Sequence, residues 1–365
     1  MPEILKVDGA RLLEATLARI EPADAQWLVR AQERQSQLTK PPGSLGRLEE
    51  IAIRLAAMQR TLTPSVSKPA ILLFAADHGV CEEGVNPYPQ AVTAQMVSNF
   101  LRGGAAINAL AGSAGAGLQI VDIGVASEVR SAEKLIRRPV ARGTKNFCRE
   151  AAMTREQALE AIAVGIEMAN DAAARRCTLL GIGEMGIGNT TAASALTAAI
   201  TGLAPGAVVG RGTGADAACM VRKTTAVERA LALHRAQIHD PIGMLAAVGG
   251  FEIAGMCGVC LAGAANRCAV VVDGFIATAA AALAVRLAQP VQDYLIAAHH
   301  SSEPGHRPLL NVIRQRPLLD FDMRLGEGSG AAVAIPIVRA AVAAFNNMAT
   351  FSSAGVANAE GRTAP

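Results

Sequence analysis

Aromatic residues make up only 3% of this 365-residue chain, so its core must be built from Ala, Val, Leu and Ile. Such small side chains suit close packing of helices on a sheet. Nor is a membrane-spanning segment expected. The longest apolar stretch, Cys268 to Ala288, contains Asp273, Gly274 and Arg286, and reads as buried strand, turn and helix. The net charge of +3 is too small for a surface that binds polyanions, and no Lys/Arg cluster with interleaved aromatics occurs, so no nucleic-acid partner is expected. The first ten residues have no basic segment followed by an apolar one, so a cytoplasmic location is expected. Cysteines 81, 148, 177, 219, 257, 260 and 268 are odd in number and lie mostly in apolar contexts, which argues for reduced thiols. Cys257 and Cys260 form a C-x-x-C, but no second pair or histidine set stands at zinc spacing, and no metal is expected. The phosphate loop of ATPases, a nucleophile elbow and internal repeats are all lacking. With 51% apolar and 18% charged residues, the chain is globular and long enough for one large domain or two.

Five short apolar runs each end in glycine or a polar residue. They are Ala70 to Ala76, Leu118 to Val121, Cys177 to Ile182, Ala269 to Val272 and Leu295 to Ala298. Runs of this length separated by helical patterns predict a parallel sheet covered on both faces, hence a doubly wound α/β fold. Ligands of such sheets bind beyond the carboxyl ends of the strands. Asp77-His78, Asp122, Gly183-Glu184, Asp273-Gly274 and His299-His300 collect at that edge. Amphipathic patterns over Pro22 to Gln37 and Leu48 to Leu62 predict two helices, with Pro22 at the first helical position of one. A last helix is expected over Ala331 to Met348, interrupted early by Pro336, followed by a frayed tail over residues 352–365. The chain thus divides into a helical segment (1–65), a large α/β domain (66–325) and a C-terminal helix and tail (326–365). The last packs back on the N-terminal helices as a small helical domain.

Two acids sit in glycine frameworks. Glu184 lies in Gly181-Ile-Gly-Glu-Met-Gly-Ile-Gly-Asn-Thr-Thr191, between a strand-like run and an alanine-rich helical pattern. Backbone amides and the positive end of the following helix favour phosphate there, while the acid suggests a sugar next to it. A glycine-rich turn of packing value alone is the other reading. Glu327 lies in Arg324-Leu-Gly-Glu-Gly-Ser-Gly330, on a turn read as exposed, and is either a general base or an acid capping the last helix. The turn Gly210-Arg-Gly-Thr-Gly-Ala-Asp216, with Lys223 further on, could close around a phosphate; alternatively Lys223 is an ordinary exposed helix lysine. Asp77-His78 reads as a metal or base pair or as a hydrogen-bonded strand end, and the roles of His78, His299 and His300 stay open.

Taken in order, KPPGSLGRLE (40–49), ADHGV (76–80), GEMGIGNTT (183–191), GGFEIAGM (249–256), DGF (273–275) and RLGEGSGAA (324–332) resemble the nicotinate-nucleotide–dimethylbenzimidazole phosphoribosyltransferase family. These stretches span about 300 residues. The resemblance implies a Rossmann-like homodimer without cofactor, acting on nicotinate mononucleotide and a benzimidazole-type base. It implies transfer of the 5-phosphoribosyl group to 5,6-dimethylbenzimidazole, giving α-ribazole 5′-phosphate and nicotinate with inversion at C1′. Glu327 would be the general base and Glu184 would stabilise the oxocarbenium-like transition state. Gly183, Gly186, Asn189, Thr190 and Thr191, the turn Gly212-Thr213-Gly214, Lys223 and Asp273 would hold the nucleotide. Tyr88, Met96, Leu325 and Gly326 would lie by the base. Hydrolysis of nicotinate mononucleotide, transfer to a different base and a non-catalytic nucleotide sensor are the alternatives. The apolar residues Tyr88, Met96 and Leu325 argue against a site for water alone, and the two acids argue against a sensor.

Overall fold

A computed structural model describes residues 8–129 and 134–357. The start up to residue 7, read above for targeting, and the tail from residue 358 lie outside the described residues. Six parallel strands form one sheet in the order β3-β2-β1-β4-β5-β6. They are β1 (Ala70–Ala76), β2 (Gly117–Gly124), β3 (Leu135–Arg137), β4 (Leu179–Met185), β5 (Ala269–Val272) and β6 (Leu295–Ala297). Every residue of β1, β4 and β5 is buried, as a sheet covered on both faces requires. The chain adds β2 and β3 on one side of β1 and β4 to β6 on the other, so the strand order reverses between β1 and β4, the kind of place where doubly wound folds bind ligands.

Before β1 come α1 (Gly9–Leu17), α2 (Ala25–Gln37) and α3 (Arg47–Gln59); α4 (Val92–Arg102) and α5 (Ala106–Ala114) join β1 to β2. Helix α6 (Arg155–Ala174) precedes β4. The long crossover to β5 carries α7 (Asn189–Thr201), α8 (Pro205–Val208), α9 (Ala217–Leu233), α10 (Pro241–Val248) and α11 (Phe251–Ala265). Helix α12 (Phe275–Leu287) joins β5 to β6, and α13 (His306–Val312), α14 (Ser329–Asn347) and α15 (Phe351–Ala354) close the chain.

The five apolar runs all became strands, and Cys268 to Ala288 became β5, a turn and α12. Strand β3 escaped the sequence reading because three residues carry no periodicity. Pro22 does not open α2. That helix starts at Ala25, where the Asp24 carboxylate accepts from the amides of Gln26 (3.0 Å) and Trp27 (3.4 Å), a stronger start signal than a proline two residues earlier. Pro336 does not interrupt α14, which runs through it. Packing on the sheet and on α3 and α5 holds this helix despite the missing amide. Helices α2 and α3 pack together and α3 packs on α14, with Arg34 Nη2 donating to the Phe345 carbonyl at 3.0 Å. Helix α1 instead packs on α6 and α11. By composition α14 could span a membrane, but here it lies on β4 and β5.

The tightest helix pair is α6 on α11. A Cβ on Gly165 would collide with the Gly255 carbonyl, and one on Gly258 would stand 2.9 Å from the Ile166 amide nitrogen. Backbone meets backbone here, and no side chain can rotate away. Gly165→Ala is therefore expected to destabilise the protein by about 1–3 kcal/mol through overpacking, read as a lower urea midpoint with unchanged m.

Candidate active site

The cleft lies beyond the carboxyl ends of β4, β5 and β6 and holds about 660 Å³, part of it open to solvent. Strand β4 extends further than its apolar run suggested, so Glu184 is a strand residue, opposite Phe74 of β1, and not part of a loop. Its side chain is buried, and Asn189 Nδ2, in the first residue of α7, donates to Oε2. Burial pushes the Glu184 carboxyl up to about 8, reinforced by the nearby charges of Glu252, Asp273 and Glu327 and opposed by Asn189.

Glu327 was read as lying on an exposed turn; the structure buries it to 6% exposure. Gly326, Glu327 and Gly328 have φ of +84°, +62° and +79°, three successive left-handed residues. Glycine adopts this freely, but glutamate does so at a cost of order 1 kcal/mol, so neighbours must hold it there. Two contacts do. A side chain at Gly326 would collide with the Glu184 carboxylate, and one at Gly183 would stand 2.6 Å from the Gly328 nitrogen. Both glycines are needed for the turn to seat on β4 with its two acids together. Glu327 Oε2 has no hydrogen-bond partner among the described residues. Burial, and then Asp273, push the Glu327 carboxyl up to about 7.

Asp273, at the end of β5, is what fastens this turn. Its Oδ1 accepts from the amides of Gly330 (2.6 Å) and Ala331 (3.1 Å), and its Oδ2 from Gly328 (3.0 Å). The capping acid of α14 is thus Asp273, not Glu327, whose carboxylate stays free for chemistry. Burial raises the Asp273 carboxyl against the pull of His299, whose Nε2 lies 3.8 Å away, and of the three amides. His299 Nδ1 is 3.1 Å from the His300 carbonyl, so Nε2 is the ring nitrogen turned to Asp273.

At the other end of the cleft, α7 starts at Gly188 without a side-chain cap, and Gly186, Asn189 and Thr190 line the wall. Gly212 and Thr213 line it opposite, whereas Gly214 does not. Thr191 is buried within α7, and Lys223 is neither an exposed helix lysine nor in the cleft wall. Lys223 is 1% exposed and donates from Nζ to the Gly210 carbonyl (2.8 Å) and Thr190 Oγ1 (3.0 Å), tying the two glycine turns together from behind. Burial lowers its ammonium below the ordinary range, against the charge of Glu303. Sequence reasoning missed Glu303, whose Oε1 accepts from the Gly212 amide at 2.8 Å; the expected phosphate contact at this amide is taken by a carboxylate. Its only sequence signal was its place just beyond the polar end of β6.

Tyr88 and Met96 do not line this cleft. Tyr88 is half exposed in a neighbouring depression with His78 and Gln90, and Met96 packs against the core from α4. Apolar lining near the two acids comes from Met185, Ile187, Ile276 and the exposed Leu325. Cys257 and Cys260 lie buried within α11, where burial pushes the Cys260 thiol up to about 12, so neither resembles a reactive thiol.

A family model described as phosphoribosyltransferase matches residues 20–356. The chain is 50% identical over 345 residues to the nicotinate-nucleotide–dimethylbenzimidazole phosphoribosyltransferase of Geobacter sp. (strain M21), covering 94% of this chain and 99% of that one. It is 51% identical over 345 residues to the protein of the same name from Chloroflexus aggregans, covering 94% and 98%. The crystal structure of the Thermus thermophilus protein so named superposes with a TM-score of 0.86 at 47% identity, covering 92% of this chain and 99% of that one.

The buried Glu184 weakens the fold progressively as pH rises from about 4.5 to about 8. With its carboxyl raised to about 8 in the folded protein, Glu184 holds a proton there that the unfolded chain releases near its ordinary 4.5. Stability from this group is therefore full below about 4.5 and is lost as pH rises through 8. Glu184→Gln is expected to melt above wild type at pH 9 and close to it at pH 5; the reverse order in differential scanning calorimetry would show that Glu184 is not a strained acid.

Proposed function

The chain belongs to the nicotinate-nucleotide–dimethylbenzimidazole phosphoribosyltransferase family, and from that premise we infer that it transfers the 5-phosphoribosyl group of nicotinate mononucleotide to 5,6-dimethylbenzimidazole. The products are α-ribazole 5′-phosphate and nicotinate. The observation that carries this reading is Glu327: a carboxyl held on a left-handed turn, buried, raised to about 7 and without a partner at Oε2. A general base works best when its pKa lies near the working pH and its lone pair is uncommitted.

In this reading one nitrogen of the base attacks C1′ while the other carries the proton that Glu327 removes. The base rests against Leu325 and Ile187, apolar residues of the cleft wall. Nicotinate leaves from a pyridinium and needs no proton, so no general acid is required. Attack from the face opposite the leaving group inverts C1′ from β to α. Glu184 lies beside Glu327 and faces the positive charge that grows on the ribose. Burial and like charge raise the Glu184 carboxyl in the empty site; the pyridinium nitrogen next to C1′ places a local positive charge there, which relieves that repulsion and favours the carboxylate that stabilises the transition state. The phosphate lies at the uncapped start of α7, near Gly186, Asn189 and Thr190, where helix amides and dipole favour an anion. Thr213 of the facing turn lines that end, and Lys223 supports it by holding the two turns together. A homodimeric state and a cytoplasmic location belong to the same reading and rest on the family resemblance and sequence; light scattering tests the first.

Chromatography of purified protein with nicotinate mononucleotide is expected to show nicotinate release only when 5,6-dimethylbenzimidazole is present, together with a new α-riboside phosphate. Release at an equal rate without the base would identify a hydrolase. Glu327→Gln is expected to lower kcat at least about a hundredfold with a small change in KM, the scale of a lost general base. Near-wild-type turnover in the folded variant would remove Glu327 from the mechanism.

A further inference from the structure

Glu303 lines the cleft but has no part in the reaction as described above. It lies beyond the end of β6 and is 8% exposed. Its Oε1 accepts from the Gly212 amide at 2.8 Å, while its Oε2 has no hydrogen-bond partner among the described residues. Lys223, behind the same turn, donates to the Gly210 carbonyl and Thr190 Oγ1 instead. A buried carboxyl oxygen without a donor costs stability, so packing alone does not account for it.

The carboxyl is firmly seated. A Cβ on Gly210 would collide with Glu303 Oε2 and stand 2.8 Å from Pro304 Cδ, so only a glycine there leaves room for it. The segment 301–306 that carries Glu303 is closed by His306. The Ser301 amide donates to His306 Nδ1 at 2.9 Å, and the His306 amide donates to the Glu303 carbonyl at 3.0 Å. Thr278 donates its hydroxyl to the Gly274 carbonyl (2.7 Å), so its oxygen accepts from His306 Nε2 at 3.0 Å. Burial pushes the His306 imidazole down to about 3, and a neutral ring with one donor and one acceptor fits these two partners. This packing opposes a swing of Glu303 that would free the Gly212 amide for the phosphate.

What meets Oε2 must therefore come from the ligand, and it must be a donor. At about pH 8 the phosphate and the nicotinate carboxylate of nicotinate mononucleotide carry no proton, which leaves the two ribose hydroxyls as its only donors. With C1′ beside Glu327 and the phosphate at the start of α7, the sugar spans the part of the cleft between them. We propose that Glu303 Oε2 accepts a hydrogen bond from a ribose hydroxyl and makes the cleft selective for the ribonucleotide over its deoxy analogues. The proposal rests on the reading that nicotinate mononucleotide occupies this cleft.

Glu303→Gln keeps one oxygen, which the Gly212 amide claims, and turns an NH2 group toward the cleft. Calorimetric titration of the full chain at about pH 8 compares nicotinate mononucleotide with its 2′-deoxy and 3′-deoxy analogues. Wild type is expected to bind at least one analogue about tenfold or more weakly than the ribonucleotide, the scale of a hydrogen bond to a buried carboxyl. In Glu303→Gln the ribonucleotide is expected to lose a similar factor and that analogue little, so the discrimination disappears. Glu303→Asp, which withdraws the carboxyl by one methylene, is the second variant and is expected to reduce the discrimination likewise. No discrimination in wild type, or undiminished discrimination in whichever variant melts cooperatively, would overturn the assignment; base-dependent nicotinate release in wild type would then leave the transferase reading intact. Discrimination that Glu303→Gln abolishes, without base-dependent release in wild type, would uphold Glu303 as the ribose acceptor and remove the transfer alone.

Discussion

The Asp273 carboxylate at the end of β5 is the contact on which the site depends. Its two oxygens take three backbone amides at the start of α14, and those amides belong to Gly328, Gly330 and Ala331. A helix start needs its free N–H groups satisfied, and here one buried acid just beyond β5 accepts from three backbone amides at or just before that start. The consequence is mechanical. The turn before α14 is pinned to the sheet, its three left-handed residues are held in place, and Glu327 projects beside Glu184 although the two lie far apart in sequence. Because Asp273 does the capping, Glu327 keeps its carboxylate uncommitted.

Carboxylates gathered this closely oppose the fold. Glu184, Glu327 and Asp273 are all raised above their ordinary range, and burial is the first cause in each case. The same crowding prepares the cleft for a cation. An incoming positive charge removes repulsion that the empty site bears, so part of the folding cost returns as binding and transition-state stabilisation. Lys223 fits this division of labour. It is buried behind two glycine turns as a tie, leaving the positive end of α7 to receive the anion.

Much of this was legible in the chain. Two of the five apolar runs match their strands end to end, because buried parallel strands leave a continuous hydrophobic signal that polar residues at the strand ends punctuate. The acids in glycine settings pointed to Glu184 and Glu327 because glycines crowd where backbone must approach backbone. What stayed illegible depends on partners distant in sequence. Glu303 reached Gly212 across 91 residues, and His78 reached Glu252 across 174. Lys223 read as an exposed helix lysine or a phosphate ligand, since nothing local says that Gly210 and Thr190 close over its ammonium.

The sequence alone thus determined the layers and the edge: a small-residue core, parallel strands wrapped in helices, and chemistry collected at the strand ends. These follow from periodicity and from the conformations that glycine and proline permit, which are local properties. Only the tertiary structure decided which acid caps a helix and which stays free, which lysine is buried, and how far each carboxyl is raised. Those outcomes turn on desolvation and on charges brought together by the fold, and neither is a property of any short stretch of chain.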